Sequence, residues 1–255
     1  MNWLKRCFQV SIYLFLYVPI IVLVGYSLNN AQYSLEWHGF TTLWYNKLFA
    51  NGLLWKAFLN SLQLGLVASF IACGLSFFAS IKLMTSRSHT RTYLINSILL
   101  FLIIPDLIFA VGLLLFFNLT KIPLGFTSLL IAHVTFCIPF AVILINTKLA
   151  TIDDNIYRAA IDLSASYLTI VTRVFFPLLW PSLLSAFLLC FTLSFDDIVI
   201  SYFIAGPEYD ILPLQIYSLI KTGITPEINA LCSILFVLSL LLILIAHALQ
   251  REKKI

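Results

Sequence analysis

Charge is absent from seven long stretches of this chain: Cys7 to Leu28, Ala57 to Ile81, Thr92 to Pro105, Leu107 to Thr120, Ile122 to Thr147, Val174 to Phe195 and Ile228 to Gln250. The runs are continuous and do not alternate, so they predict helices and not strands. Helix is also the form in which a single segment satisfies its own backbone in lipid. Only Asp106 separates the third run from the fourth, and those two read together as one spanning helix. Six segments result, each at least the roughly 20 residues needed to cross a hydrocarbon core. They are expected at about 7–28, 58–82, 94–117, 127–147, 180–204 and 228–249. The expected fold class is therefore all-α, a polytopic membrane protein with six transmembrane helices in one domain, residues 1–255.

Composition points the same way, because 61% hydrophobic and 10% charged residues cannot coat a water-soluble surface. The fifteen Lys and Arg fix an orientation. With the N-terminus inside, Lys5, Arg6, Lys82, Arg87, Arg91, Lys148, Arg158, Arg173, Arg251, Lys253 and Lys254 fall on the cytoplasmic face. Only Lys47, Lys56, Lys121 and Lys221 fall outside. This positive-inside bias assigns both termini to the cytoplasm, and it makes the net charge of +4 a topology signal that gives no reason to expect nucleic acid. The first apolar run is too long for the core of a secretory signal and lacks a small-x-small cleavage site, so it reads as the first span. Cys7, Cys73, Cys137, Cys190 and Cys232 are odd in number and embedded in apolar runs; they read as small core residues, with no disulfide or metal framework.

Two outer segments are longer than the other connections. Asn29 to Lys56 carries Trp37, Trp44, Tyr45 and Trp55, as an interfacial aromatic belt does. Gly206 to Asn229 is punctuated by Pro207, Pro213 and Pro226, with a short interfacial helix expected over Leu214 to Ile220. No phosphate-binding loop, Gly-x-Ser-x-Gly or His-Glu-x-x-His occurs, and His38, His89, His133 and His247 are scattered, which suits singly packed residues better than ligands. No metal or other cofactor is expected in the chain, and any energy source is external to it.

The polar island between the fourth and fifth spans, about 150–177, has its own pattern. Thr151-Ile-Asp-Asp154 resembles a capping box that starts a helix. Ile156, Ala159, Ala160 and Leu163 then make a narrow stripe of mostly small apolar residues. Ser164 marks a break, after which Leu168, Val171 and Phe175 continue on a second short helix that Pro177 ends. By spacing alone this is either an amphipathic loop on the membrane surface or a grip for a cytoplasmic partner.

The run Arg158-Ala159-Ala160-Ile161-Asp162-Leu163-Ser164-Ala165-Ser166, closed by Phe176-Pro177-Leu178, resembles the EAA coupling loop of ABC importer permeases, whose pattern is Glu-Ala-Ala-x-x-x-Gly-Ala. Arg158 stands where that pattern has the acidic residue, and Ser164 stands where it has glycine. Ser164 would be strained if the turn needs positive φ. The resemblance narrows to the spermidine/putrescine importer permeases, to the second of their two subunits. It is carried by Tyr17-Val-Pro-Ile-Ile21, Ile104-Pro-Asp106, His133-Val-Thr-Phe-Cys-Ile-Pro-Phe140, Leu193-Ser-Phe-Asp-Asp197 and Gly206-Pro-Glu-Tyr-Asp-Ile-Leu-Pro213. It implies a type I importer-permease fold in a bacterial inner membrane. The implied partners are a homologous permease, two cytoplasmic ATPase subunits that bind the ATP, and a periplasmic polyamine-binding protein. It also implies that Arg158, Ala159, Ala160, Asp162, Leu163, Ser164 and Ala165 couple to the ATPases.

Asp106, Asp196 and Asp197 are the acidic residues inside predicted spans, and each costs roughly 3 kcal/mol near a helix centre. With no Lys or Arg in those spans, they should face a hydrated cavity or be protonated. Ser194, Asp197 and Ser201 at i, i+3 and i+7 draw a polar stripe along the fifth helix. A polyamine path needs spaced carboxylates and aromatic walls, and Trp44 is the aromatic candidate by resemblance to the family's outer loop. Each Asp has the alternative of capping a broken helix or pairing across a permease interface. The rival functions are a permease for another cationic or small organic solute, a proton-coupled carrier using the three Asp residues, and a membrane anchor that does not transport.

Overall fold

Apolar runs this long fold as helices, and the computed structural model, which describes residues 2–31, 36–84, 86, 88–222 and 226–252, is helical nearly throughout. Arg87, Lys253 and Lys254, used above for orientation, lie outside the described residues. The order is α1 (Asn2–Tyr26), α2 (Leu43–Ala50), α3 (Gly52–Met84), α4 (Ser88–Ile103), α5 (Asp106–Thr120), α6 (Phe126–Leu149) and α7 (Asp154–Asp162). After these come α8 (Tyr167–Thr169), a π-helical turn (Ile170–Phe175), α9 (Phe176–Phe195), α10 (Val199–Ile204), α11 (Leu212–Thr222) and α12 (Pro226–Glu252). Among the described residues, Lys5–Tyr26, Gly52–Met84, Phe126–Leu149 and Tyr167–Phe195 are each long and apolar enough to cross a membrane.

The third predicted span, 94–117, is not one helix: α4 and α5 meet at 103°. Pro105 has no N–H to continue α4 and pushes Ile104 out of helical geometry. Its own carbonyl then accepts from Ile108 N at 2.9 Å and Phe109 N at 3.1 Å, which starts α5. The fifth predicted span, 180–204, also needs correction at both ends. It begins at Tyr167, because Pro177 does not end the helix that the sequence expected it to end. Phe176 N bonds back five residues to Val171 O, and this wider turn takes up the disturbance before the proline whose N–H is missing. At the other end α9 stops at Phe195 and the chain restarts as α10, so the stripe of Ser194, Asp197 and Ser201 spans a break.

Contacts divide the chain into two compact units, Met1–Trp55 with Gln215–Ile255, and Lys56–Leu214. In the first, α12 packs on α1 and α2. Phe8, Phe15 and Ile21 of α1 are exposed, as lipid-facing side chains are. Asn29, almost fully buried, organises the turn after α1. Its amide donates to Glu36 O at 2.8 Å, its Oδ1 accepts from His38 N at 2.8 Å, and its carbonyl accepts from Trp44 Nε1 at 2.8 Å.

In the second unit α6 packs along α9, with Cys137, Ala141, Ala186 and Cys190 in its buried core. Small residues let helix backbones approach, which replaces the hydrophobic drive that lipid removes. The Cys137 thiol donates to Cys190 O at 3.5 Å and the Cys190 thiol to Cys137 O at 3.6 Å. Cys73 is buried with them, whereas Cys7 is exposed on α1 and is not a core residue. A second cluster gathers Phe117 of α5, Leu129 of α6, Ile200 and Ile204 of α10, and Ile211.

Candidate functional site

The break between α9 and α10 lies against the N-terminal part of α6, where His133 is 1% exposed. No local pattern pairs this histidine with another residue, yet its ring bridges both sides of the break. Nδ1 lies 2.6 Å from Ser194 Oγ in the last turn of α9, and Nε2 lies 3.1 Å from Ser201 Oγ in α10. Nε2 is also 3.7 Å from Asp197 Oδ2, a side chain 9% exposed. Asp197 in turn accepts from Ile200 N (3.2 Å), Ser201 N (2.8 Å) and Ser201 Oγ (2.8 Å), so it caps α10. The far end of α10 is fixed as well, by Ser128 Oγ donating to Ile204 O at 3.2 Å and by Gly206 at φ +69 against Leu124.

Asp196 is on the surface of the subunit, with its backbone N–H bonded to Thr192 O at 3.1 Å. Asp106 is the exposed first residue of α5. There the positive end of the helix dipole favours its carboxylate. Beside it is a cavity of about 30 Å³ lined by Phe101, Phe109, Phe136 and Phe140. The rings pack in sequence, Phe101 on Phe109 across the bend, Phe109 on Phe136 and Phe136 on Phe140 of α6, a juxtaposition that no local pattern marks. Among the described residues, no hydrogen bond or ion pair joins Asp106 or Asp196 to the His133 cluster. Trp44 belongs to the other unit and is 4% exposed, with Lys47 Nζ 4.8 Å from its ring centroid. Beyond α10, Tyr209 OH donates to Asn60 O at 3.0 Å, and burial pushes that phenol up to about 12.

The polar island folds as an elbow. Asp153 is the N-cap of α7, accepting from Asn155 N at 2.9 Å, whereas Thr151 donates to Lys148 O at 2.8 Å and closes α6. The capping box expected over Thr151 to Asp154 is thus replaced by Asp153 alone. Ile156, Arg158, Ala159, Asp162 and Leu163 are exposed, but Ala160 packs inward on the core with Tyr157 and Ala165 beside it. The apolar stripe therefore divides, and Leu163, 83% exposed, projects farthest. Ser164 takes φ +56, with its N–H on Ile161 O at 2.7 Å and Ala165 N on Ala160 O at 3.1 Å. This is the paired closure of a Schellman turn. Ser166 then caps α8 by accepting from Thr169 N at 3.3 Å.

Comparison with known proteins places this architecture. Residues 77–251 match the family described as binding-protein-dependent transport system inner membrane component. The chain is 39% identical to the spermidine/putrescine transport system permease protein PotC of Escherichia coli (strain K12), over 98% of this chain and 95% of that one. It is 33% identical to the putrescine transport system permease protein PotI of Escherichia coli (strain K12), over 87% and 81%. A solved structure of a bacterial alginate ABC transporter with its periplasmic protein superposes with a TM-score of 0.75 at 19% identity, covering 98% of this chain and 95% of that one, a likeness of fold. The exposed elbow and the apolar helices thus have a common explanation: the chain belongs to the binding-protein-dependent transport system inner membrane components, with the fold of an ABC importer permease.

Proposed function

We propose that this chain is the permease subunit of an ATP-driven importer for polyamines, spermidine or putrescine, and forms half of its translocation path. The observation that carries the reading is the 39% identity to a spermidine/putrescine permease across 98% of the chain. The site's chemistry supports it. A polyamine is a string of ammonium groups separated by methylenes, and Asp106 offers a carboxylate beside phenylalanine rings that suit both parts. Asp196 supplies a second exposed carboxylate at a helix break. Binding at such a path stays weak, since a deep cation trap would prevent release.

In this reading the chain crosses the membrane six times with both termini in the cytoplasm. It pairs with a homologous permease, takes polyamine from a periplasmic binding protein, and holds no cofactor of its own. Two cytoplasmic ATPases bind the ATP and grip α7 through its exposed residues, Arg158, Ala159, Asp162 and Leu163. Ala160, Ser164 and Ala165 shape the turn that passes their movement to α9, and the path opens alternately outward and inward.

Uptake of radiolabelled polyamine into vesicles, with and without the ATPases and binding protein, tests the assignment. Flux should require both, and flux without either overturns it. Uptake that stops when the proton gradient is collapsed at constant ATP would favour a secondary carrier. Ala159→Glu tests the grip better than a change at Ala160, which is packed inside. It should cut ATP-driven uptake about ten-fold or more while the protein still inserts, by burying an unpaired charge against the ATPase.

A further inference from the structure

We propose that His133 is a positioning residue for transport: through Ser201 it holds Asp197 as part of the scaffold of the α9–α10 break and leaves Asp196 as the carboxylate presented to cargo. The part concerning cargo rests on the polyamine reading; the part concerning the break does not.

Hydrogen accounting around the imidazole carries the argument. Asp197 is the acceptor in each of its bonds: Oδ1 takes the N–H of Ile200, and Oδ2 takes both the N–H and the hydroxyl hydrogen of Ser201. Ser201 Oγ has no second hydrogen, so at 3.1 Å it must accept from His133 Nε2. Nε2 therefore bears the ring proton. Nδ1 is then a lone pair, and Ser194 Oγ at 2.6 Å donates to it. The opposite tautomer would set the Nε2 lone pair against Ser201 Oγ and against Asp197 Oδ2 at 3.7 Å. An imidazolium would leave the Ser194 hydroxyl hydrogen without an acceptor among the described residues. One directed chain remains, from Ser194 through His133 and Ser201 to Asp197. It runs from the end of α9, through α6, to the start of α10, and such chains strengthen one another in a buried setting.

The neighbouring carboxylates are thereby separated in role. Asp197 is enclosed and takes three donors, whereas Asp196, one residue earlier, lies on the surface of the subunit at the C-terminal, negative end of α9. A cation approaching the break meets Asp196. His133 touches neither cargo nor Asp196 and acts by fixing where the break is.

Carbodiimide modification of the carboxylates in the assembled importer in liposomes, located by peptide mass spectrometry, reads this division directly. In the parent protein Asp196 should react about ten-fold faster than Asp197 or more, given the charge-assisted bonds that Asp197 would have to give up. Equal rates would overturn the proposal. His133→Leu removes both ring contacts and should raise Asp197 reactivity about ten-fold. His133→Gln, whose amide nitrogen reproduces the Nε2–H toward Ser201, should keep it within about three-fold of the parent and retain at least about a third of the uptake rate. If Asp197 stays unreactive in the leucine variant, or if glutamine and leucine behave alike, His133 has no positioning role. Should the leucine variant fail to insert, Ser201→Ala supplies the same break in the chain and the same expected rise. Spermidine should slow modification of Asp196 and leave that of Asp197 unchanged. Absence of that protection, with the Asp196 and Asp197 rates still divided, would overturn the polyamine reading and uphold the scaffold role.

Discussion

Two of the breaks in this chain carry an aspartate, and they treat it in opposite ways. At the α4–α5 bend the interruption is made by the backbone rules of Pro105, and Asp106 follows it as an exposed first-turn residue. At the α9–α10 break Asp197 itself caps the new helix, enclosed by Ser201 and His133. A break set by proline leaves its carboxylate available to a passing cation. A break set by a carboxylate uses that carboxylate up, and the exposed charge is then carried by a neighbour, Asp196. Polar groups inside a membrane protein thus need sorting by what they hold before they are assigned to a transport path.

The severest way to break the comparison is to unseat α10 from its far end. A Cβ on Gly206 would lie 2.8 Å from Leu124 O and 2.9 Å from its carbonyl carbon, at a φ of +69. Backbone atoms cannot move aside as a flexible side chain does, so Gly206→Ala should destabilise the subunit by about 3 kcal/mol. Thermal stability of the detergent-purified protein would show it, and a melting profile equal to the parent's would mean that α10 is not clamped there.

Next in size is the pair that compares the two aspartates. Asp197→Asn leaves one acceptor oxygen where three donors now converge, and it should cost about 2 kcal/mol. Asp106→Asn loses only a dipole interaction at an exposed helix start, about 0.5 kcal/mol. Uptake should fall in both, for different reasons: with reduced stability in the first, and with stability nearly intact in the second. If both variants melt alike, the two breaks are not held differently.

How far the sequence foretold this depends on the range of each signal. Continuous apolar runs fixed the helical membrane fold, and the pattern from Arg158 to Ser166 located the elbow, because both signals are local. Pro105 and Asp106 were visible, but a run of hydrophobic residues on either side hid a bend of 103°. Pro177 looked like a stop and proved not to be, since a π-helical turn absorbs it, and nothing in Ile170–Phe175 announces that turn. Ser194, Asp197 and Ser201 come together through His133 and across a break, not along one continuous helix. The group that joins them, His133, is 61 residues from Ser194 and 68 from Ser201 in sequence, so only tertiary packing of α6 reveals it. Ala160 packs inward instead of lying on an exposed face with Ala159, because helical spacing cannot by itself say which side of a short helix meets the core.

The smallest effect concerns a third interruption, at the end of α7, which neither proline nor carboxylate makes. Ser164 closes it by backbone bonds alone, at φ +56, a conformation that costs an L-residue roughly 1–2 kcal/mol and glycine almost nothing. Lys121 at φ +56 ends α5 by the same pairing, with Lys121 N on Asn118 O at 3.2 Å and Ile122 N on Phe117 O at 2.9 Å. Ser164→Gly should therefore stabilise the turn by about 1 kcal/mol, offset by the greater freedom of glycine in the unfolded chain. Because no side-chain bond of Ser164 contributes to the closure among the described residues, the turn should keep its geometry, and ATP-driven uptake should be retained. A glycine variant less stable than the parent by more than about 1 kcal/mol, which is beyond what unfolded-chain freedom accounts for, would show that the serine hydroxyl does hold this break, and the distinction between backbone-set and side-chain-set interruptions would then fail at the elbow.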